Sequence, residues 1–205
     1  MTAWRDSHTW RTMYPANITR DEAHARSQLL STSRYRVTVD LTGSPSTFTS
    51  TSTINFSSTA GTTFVDLIAD SIVEATLDGT ALDTAGFNGE RLEFTLTEGD
   101  HVLAITAVCR YSNTGEGLHR FVDPVDSRVY CYTQLEVADA RRVYACFDQP
   151  NLKASFEFAV IAPAHWTVLS NSPEVEPVVA GDLGRWEFAP TPPISTYITA
   201  LIAGE

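Results

Sequence analysis

Gln134 and Glu136 stand two positions apart in the alternating run Tyr130 to Glu136, and they are the residues of this chain best placed to meet a ligand. Side chains of a strand point to opposite faces in turn, so Val129, Cys131, Thr133 and Leu135 fall on one side and Tyr130, Tyr132, Gln134 and Glu136 on the other. The first set is apolar enough to enter a β core. The second is a polar comb of two phenols, an amide and a carboxylate, with Gln134 and Glu136 expected about 7 Å apart and pointing the same way.

The same stretch runs on to Pro150. Asp139, Arg141, Arg142 and Asp148 could form an acid-base set, yet mixed charges beside a tight Phe147-Asp148-Gln149-Pro150 turn more often make a structural network of ion pairs and hydrogen bonds. Cys146, between Ala145 and Phe147, reads as a buried small hydrophobe with no neighbouring His to activate it. The five histidines, at 8, 24, 101, 119 and 165, are scattered singly and read as surface or hydrogen-bonded structural residues.

Elements able to position such a comb must come from the rest of the 205 residues, enough for one substantial core. A hydrophobic share of 43% with 19% charged residues fits a folded domain rather than a disordered or membrane chain. A net charge of -11 speaks against nucleic-acid or anionic-membrane partners, which demand clustered Lys and Arg. The three cysteines, Cys109, Cys131 and Cys146, show no CxxC spacing and are expected to be free thiols in a reducing compartment. With no signal-like start and no apolar run approaching the ~18 residues of a span, the expected location is cytoplasmic.

Residues 1–16 have no clear periodicity and are expected to form a loosely held or disordered arm, leaving 17–205 as one domain. Thr19-Arg20-Asp21-Glu22 matches a capping box and predicts a helix from Arg20 to Leu30, whose thin apolar stripe keeps it on the surface. From Ser33 the period becomes two. Tyr35, Val37, Val39 and Leu41 share one face, and after a Gly43-Ser44-Pro45 turn so do Phe48, Ile54 and Phe56. Further strands are expected at 63–67, 72–77, 91–97, 101–111, 155–162, 166–171, 185–189 and 196–203, with turns at Asp78-Gly79, Asn88-Gly89 and Gly99-Asp100. The Gly-, Asp- and Pro-rich run from Ser112 to Ser127 reads as a long loop in which Leu118 and Phe121 plug the sheet. The fold class is therefore all-β, an antiparallel β-sandwich or saddle-like domain with one short N-terminal helix.

The run GLHRFVDPVDSRVYCYTQLEVADARRVYACFDQPNLKASFEF, Gly117 to Phe158, resembles the N-terminal domain of zinc aminopeptidases of the aminopeptidase N family, especially its actinobacterial-type members. So do TRDEAHARSQLLSTSRYRVTVDL at Thr19 to Leu41, FVDLI at Phe64 to Ile68, HWTVLSN at His165 to Asn171 and the closing PPISTYITALIAGE. In that family the Gln and Glu matching Gln134 and Glu136 reach into the active site. The resemblance thus implies that Glu136 helps bind the free α-ammonium of a peptide substrate and that Gln134 lines the pocket for its first side chain.

The family's zinc-binding H-E-x-x-H and its G-A-M-E-N motif are absent from this sequence, and both belong to the downstream catalytic domain. The resemblance therefore implies a fragment with no metal site and no catalytic residues of its own, inactive alone. Its partners would be peptides with a free N-terminus and the zinc-bearing catalytic domain of the same polypeptide. The Tyr130 to Glu136 face and the C-terminal strand are expected to expose an apolar patch for that domain. The alternative is a non-catalytic protein-interaction module of an aminopeptidase-like scaffold. Retention of both Gln134 and Glu136 favours the enzyme, and a free-standing carbohydrate-binding sandwich has only the fold class behind it.

Overall fold

The computed structural model describes residues 17–205, so the expected arm of residues 1–16 lies outside the described residues. Helix α1, Arg20–Leu29, opens with the anticipated capping box. The Glu22 amide donates to the Thr19 hydroxyl at 3.2 Å, while the Thr19 amide donates to the Glu22 carboxylate at 2.8 Å. The helix ends one residue earlier than expected because Leu30 is already extended and begins the first strand.

The strands are β1 Leu30–Asp40, β2 Thr47–Ser58, β3 Gly61–Asp66, β4 Ser71–Leu77, β5 Thr80–Ala81, β6 Arg91–Leu96 and β7 Gly99–Arg110. They continue as β8 Gly117–Val122, β9 Val129–Gln134, β10 Ser155–Pro163, β11 Thr167–Ser170, β12 Val178–Ala180, β13 Leu183–Glu187 and β14 Leu201–Gly204. An eight-stranded sheet has the order β12-β13-β10-β1-β2-β7-β4-β5, a four-stranded sheet the order β11-β14-β9-β8, and β3 pairs with β6 in a third. The chain is thus all-β and sandwich-like, as its alternation implied. One departure from an antiparallel arrangement is central: β1 and β10 run parallel, Arg34 opposite Ser155 through Asp40 opposite Ile161.

The inner face of the large sheet carries Tyr35, Val37 and Val39 from β1, Phe48, Ile54 and Phe56 from β2, and Phe156, Phe158 and Val160 from β10, all buried. Against it lies the segment Val143 to Phe147, five consecutive buried residues, and each large side chain buried there is worth about 1.5–3 kcal/mol. The Tyr35 hydroxyl accepts the Phe147 amide at 3.1 Å, and the ring of Tyr35 stacks on Phe156 at 4.7 Å. Cys146 exchanges backbone hydrogen bonds with Asp66, which splices this segment onto the end of β3. The stretch that carries the candidate site therefore continues straight into the centre of the core.

Several expectations are corrected. The run 112–127 is not a plain loop, since β8 lies inside it and pairs with β9 from Gly117 opposite Gln134 to Val122 opposite Val129. Only Leu118 plugs the core; Phe121, on the other side of the same strand end, is 46% exposed. The segment 196–203 is not one strand, because a 3-10 turn at Thr196–Ile198 precedes β14. Its Thr196 hydroxyl reaches the buried Asp148 carboxylate at 2.6 Å, a side-chain partner that competes with a strand conformation. The short strands β5 and β12 have two and three residues, too few to show a period.

Helix α1 does lie on the surface, but what it buries is charge. Arg26, 3% exposed, donates to Asp66 at 2.7 Å and to the Gln149 side-chain oxygen at 3.0 Å. Arg91 pairs with Glu22 at 2.8 Å, and both guanidiniums lie against the Phe64 ring, at 4.8 Å for Arg26 and 4.1 Å for Arg91.

Candidate functional site

Strand β9 reaches the site as the alternation requires. Cys131 is buried, Val129 and Thr133 are half-buried, and Leu135 closes the core just beyond the strand. On the other face Tyr130 is half-buried while Tyr132, Gln134 and Glu136 are exposed. The pairing of β9 with β14 is extended by the Thr133 hydroxyl, which accepts the Leu201 amide at 2.8 Å.

The comb itself is corrected in one respect. The strand stops at Gln134, and Glu136 lies in the turn that follows rather than on the strand. Gln134 folds back so that its side-chain oxygen accepts the Glu136 amide at 2.8 Å. The Gln134 side chain is thus bonded to the backbone of Glu136, and the two side chains do not stand as two parallel teeth of one strand. The peptide bond from Glu136 to Val137 is cis. The turn closes where the Asp139 amide donates to the Leu135 carbonyl at 3.1 Å.

Asp139, Arg141, Arg142 and Asp148 form the structural network expected of them. Arg142 pairs with Asp139 at 2.6 Å and, at 3.4 Å, with Glu116. Arg141 is buried, and its Nε donates to the Ala138 carbonyl at 2.8 Å. Asp148 accepts the Arg141 amide at 3.2 Å and the Thr196 hydroxyl at 2.6 Å, and its own amide donates to Asp66 at 3.0 Å. Burial pushes the Asp148 carboxyl up to about 6 despite those hydrogen bonds. Burial likewise raises the Cys146 thiol, helped by the neighbouring Asp148 and Asp66 carboxylates. An activated thiol would need the opposite shift. Cys109, Cys131 and Cys146 are all free and buried.

Beside the comb the four-stranded sheet exposes an apolar row that individual residues did not announce. Across its strands Leu169 stands opposite Ile202, Ile202 opposite Tyr132, and Tyr132 opposite His119. Ile202 is 51% exposed, Tyr132 is 42% exposed, and the His119 ring lies 4.9 Å from that of Tyr132. The next row brings Tyr130 opposite Phe121. The apolar exposure expected beside Tyr130 to Glu136 is therefore present, at the edge of the surface that carries Gln134. The one available signal for Ile202 was its place in alternation with the buried Leu201 and Ala203.

Among the described residues no group of three His, Cys, Asp or Glu side chains could hold a metal ion. Of the described histidines, His101 is built into the fold by Asp78 and Thr97, and the Nδ1 of His119 accepts the Gly115 amide at 3.1 Å.

The end of the four-stranded sheet thus carries an exposed amide and an exposed carboxylate beside an apolar row. The chain belongs to the Peptidase M1 N-terminal domain family, whose model matches residues 31–198. It is 51% identical to aminopeptidase N of Streptomyces lividans over 92% of this chain and 22% of that protein. It is 33% identical to aminopeptidase N of Acetobacter pasteurianus over 71% of this chain and 42% of that protein, and 38% identical to aminopeptidase N of Rattus norvegicus over 42% of this chain and 9% of that protein. The chain thus spans less than half the length of each of these relatives.

Proposed function

We propose that this chain is the substrate-facing N-terminal domain of a zinc-dependent aminopeptidase, residues 17–205 forming one unit that supplies a wall of the substrate cleft. The observation that carries this is the exposed Gln134–Glu136 pair, held together at the end of β9 in a domain of this family. An exopeptidase must recognise a terminus, and a fixed carboxylate does so by pairing with an α-ammonium that an internal peptide lacks. Glu136 takes that role, and Gln134 borders the place of the first side chain.

The zinc ion, which would activate water and polarise the scissile carbonyl, has its ligands outside the described residues. Reaction chemistry then belongs to a catalytic domain of the same polypeptide, and the row Leu169, Ile202, Tyr132 is where that domain docks, in the cytoplasm. The substrates are peptides with a free N-terminus.

The test is Glu136→Gln in the full-length enzyme. Loss of one member of a charge pair costs about 2 to 5 kcal/mol, so catalytic efficiency should fall at least tenfold with the fold intact. Full efficiency in that variant would leave the domain merely structural.

A further inference from the structure

The turn that presents Glu136 is exposed at Glu136 and Val137, and although Leu135 anchors its start in the core, its own closing hydrogen bonds do not anchor its far end. Gln134 accepts the Glu136 amide, and the Asp139 amide donates to Leu135, but all four residues belong to the turn or its immediate flanks. A carboxylate meant to select one charged terminus needs a fixed position, because a mobile one solvates an ammonium little better than water does. A second tie, beyond Leu135, is needed to hold the far side of the turn.

Two arginines follow the turn and both reach back to it. Arg142 is half-exposed and pairs with Asp139 and Glu116, themselves surface groups, and an exposed pair of this kind contributes about 0–1 kcal/mol. Arg141 is different. Its backbone is pinned on both sides, the amide donating to Asp148 at 3.2 Å and the carbonyl accepting the Ile68 amide at 2.7 Å. Asp148 is in turn held by Thr196 and by Asp66, so Arg141 stands on a hydrogen-bonded part of the core. From there its guanidinium projects to the Ala138 carbonyl at 2.8 Å, two residues beyond Glu136, and to Asn17 at 3.1 Å. The planar fork lets one cation hold both acceptors at once, which a lysine ammonium on a flexible stem does not reproduce.

We propose that Arg141 is a positioning residue for substrate selection: by holding the Ala138 carbonyl it fixes the Leu135 to Asp139 turn, and with it the Glu136 carboxylate, against the rigid Asp148 segment. Arg141 touches no substrate and acts through Glu136. The inference rests on the role proposed above for Glu136, and the experiment separates the two.

In the full-length enzyme, Arg141→Lys keeps the buried charge, and with it the fold, while losing the fork; Arg141→Gln is the second variant, and thermal melting checks that each folds. The readout is inhibition by L-phenylalanine, which carries the ammonium, against inhibition by 3-phenylpropanoate, which lacks it. Arg141→Lys should weaken L-phenylalanine about fivefold or more and leave 3-phenylpropanoate within twofold, as Glu136→Gln should, whereas Arg142→Ala should leave both within twofold. In the Glu136→Gln background, Arg141→Lys should add no further loss, because its effect passes through a carboxylate already gone. If Glu136→Gln discriminates between the inhibitors but folded Arg141→Lys and Arg141→Gln do not, or if the losses add in the double variant, the positioning role is overturned while the ammonium site stands. If Glu136→Gln itself fails to discriminate, the ammonium site falls, and the positioning role with it.

Discussion

The side-chain oxygen of Gln134 accepts the backbone amide of Glu136 at 2.8 Å. Two residues that alternation would set side by side are thus coupled, and the side chain proposed to border the place of the first substrate side chain also holds the backbone of its neighbour. Gln134→Ala should therefore do two things in the full-length enzyme. It should change the ranking of substrates by first side chain, and it should also lower efficiency on all of them by roughly fivefold, the value of one hydrogen bond near 1 kcal/mol. Steady-state kinetics on a panel of aminoacyl substrates checks both, and a changed ranking with no common loss would show that the contact to Glu136 is dispensable.

Arg26 and Asp66 form an ion pair in which each side chain is 2% exposed. Arg26→Ala should destabilise the chain by about 3–5 kcal/mol, because it leaves a buried carboxylate without its closest cation. Urea unfolding of the 205-residue chain measures this. A loss below about 1 kcal/mol would mean that Arg91, whose Nε lies 3.8 Å from the other Asp66 oxygen, takes over the charge.

His101 places Nδ1 2.7 Å from Asp78 and Nε2 3.0 Å from the Thr97 carbonyl. Both neighbours are acceptors, so only the imidazolium satisfies both. Although burial opposes the charge, these bonds raise the His101 pKa above its ordinary 6.5, and the same contact, with the Val102 amide, holds Asp78 below its ordinary 3.8 against its own burial. A raised histidine contributes stability that is complete below 6.5 and is lost as pH rises through its folded value. The lowered carboxyl contributes stability present above 3.8 and lost as pH falls through its folded value. The pair is therefore most stabilising between about pH 4 and 6.5. The melting temperature of the wild type should exceed that of His101→Gln most near pH 5.5, with the gap narrowing by pH 9; a gap independent of pH would contradict the charged pair.

Ile202 stands exposed between Leu169 and Tyr132. Ile202→Glu should leave the stability of the isolated chain within about 0.5 kcal/mol, as surface changes do. In the full-length enzyme the same change should lower the melting temperature by burying a charge, if the row is the docking face proposed above. An unchanged full-length enzyme would move the catalytic domain elsewhere.

Much of this was legible from local pattern. Alternation located the core faces of β1, β2 and β9, and Thr19 with Glu22 announced the helix start, since both signals depend on neighbours in sequence. What escaped depends on distant partners. Thr196 leaves the strand pattern because Asp148 takes its hydroxyl, and Arg26 is buried by Asp66 and Gln149, neither of which is near it in sequence. The short strand β8 was masked by glycines and aspartates that belong to the turns around it. At the end of β9 the outward face of Tyr132 and Gln134 was legible but not the contact from Gln134 to the Glu136 backbone, because the strand's end at Gln134 is set by the turn after it and not by the strand's period.

The parallel pairing of β1 with β10 carries a consequence for biosynthesis. Arg36 and Glu157, partners across these strands, are 121 positions apart, so β1 cannot gain its second neighbour until about three-quarters of these 205 residues have left the ribosome. At about 5–20 residues per second that interval is roughly 6 to 24 s. Throughout it, β1 can pair with β2 on one side while its other edge remains bare beside Tyr35, Val37 and Val39. Such an edge is an adhesive strip for any neighbouring nascent chain. Codon choice that slows synthesis between β2 and β10, or loss of a chaperone that shields that edge, should therefore reduce the yield of soluble protein without altering the finished molecule.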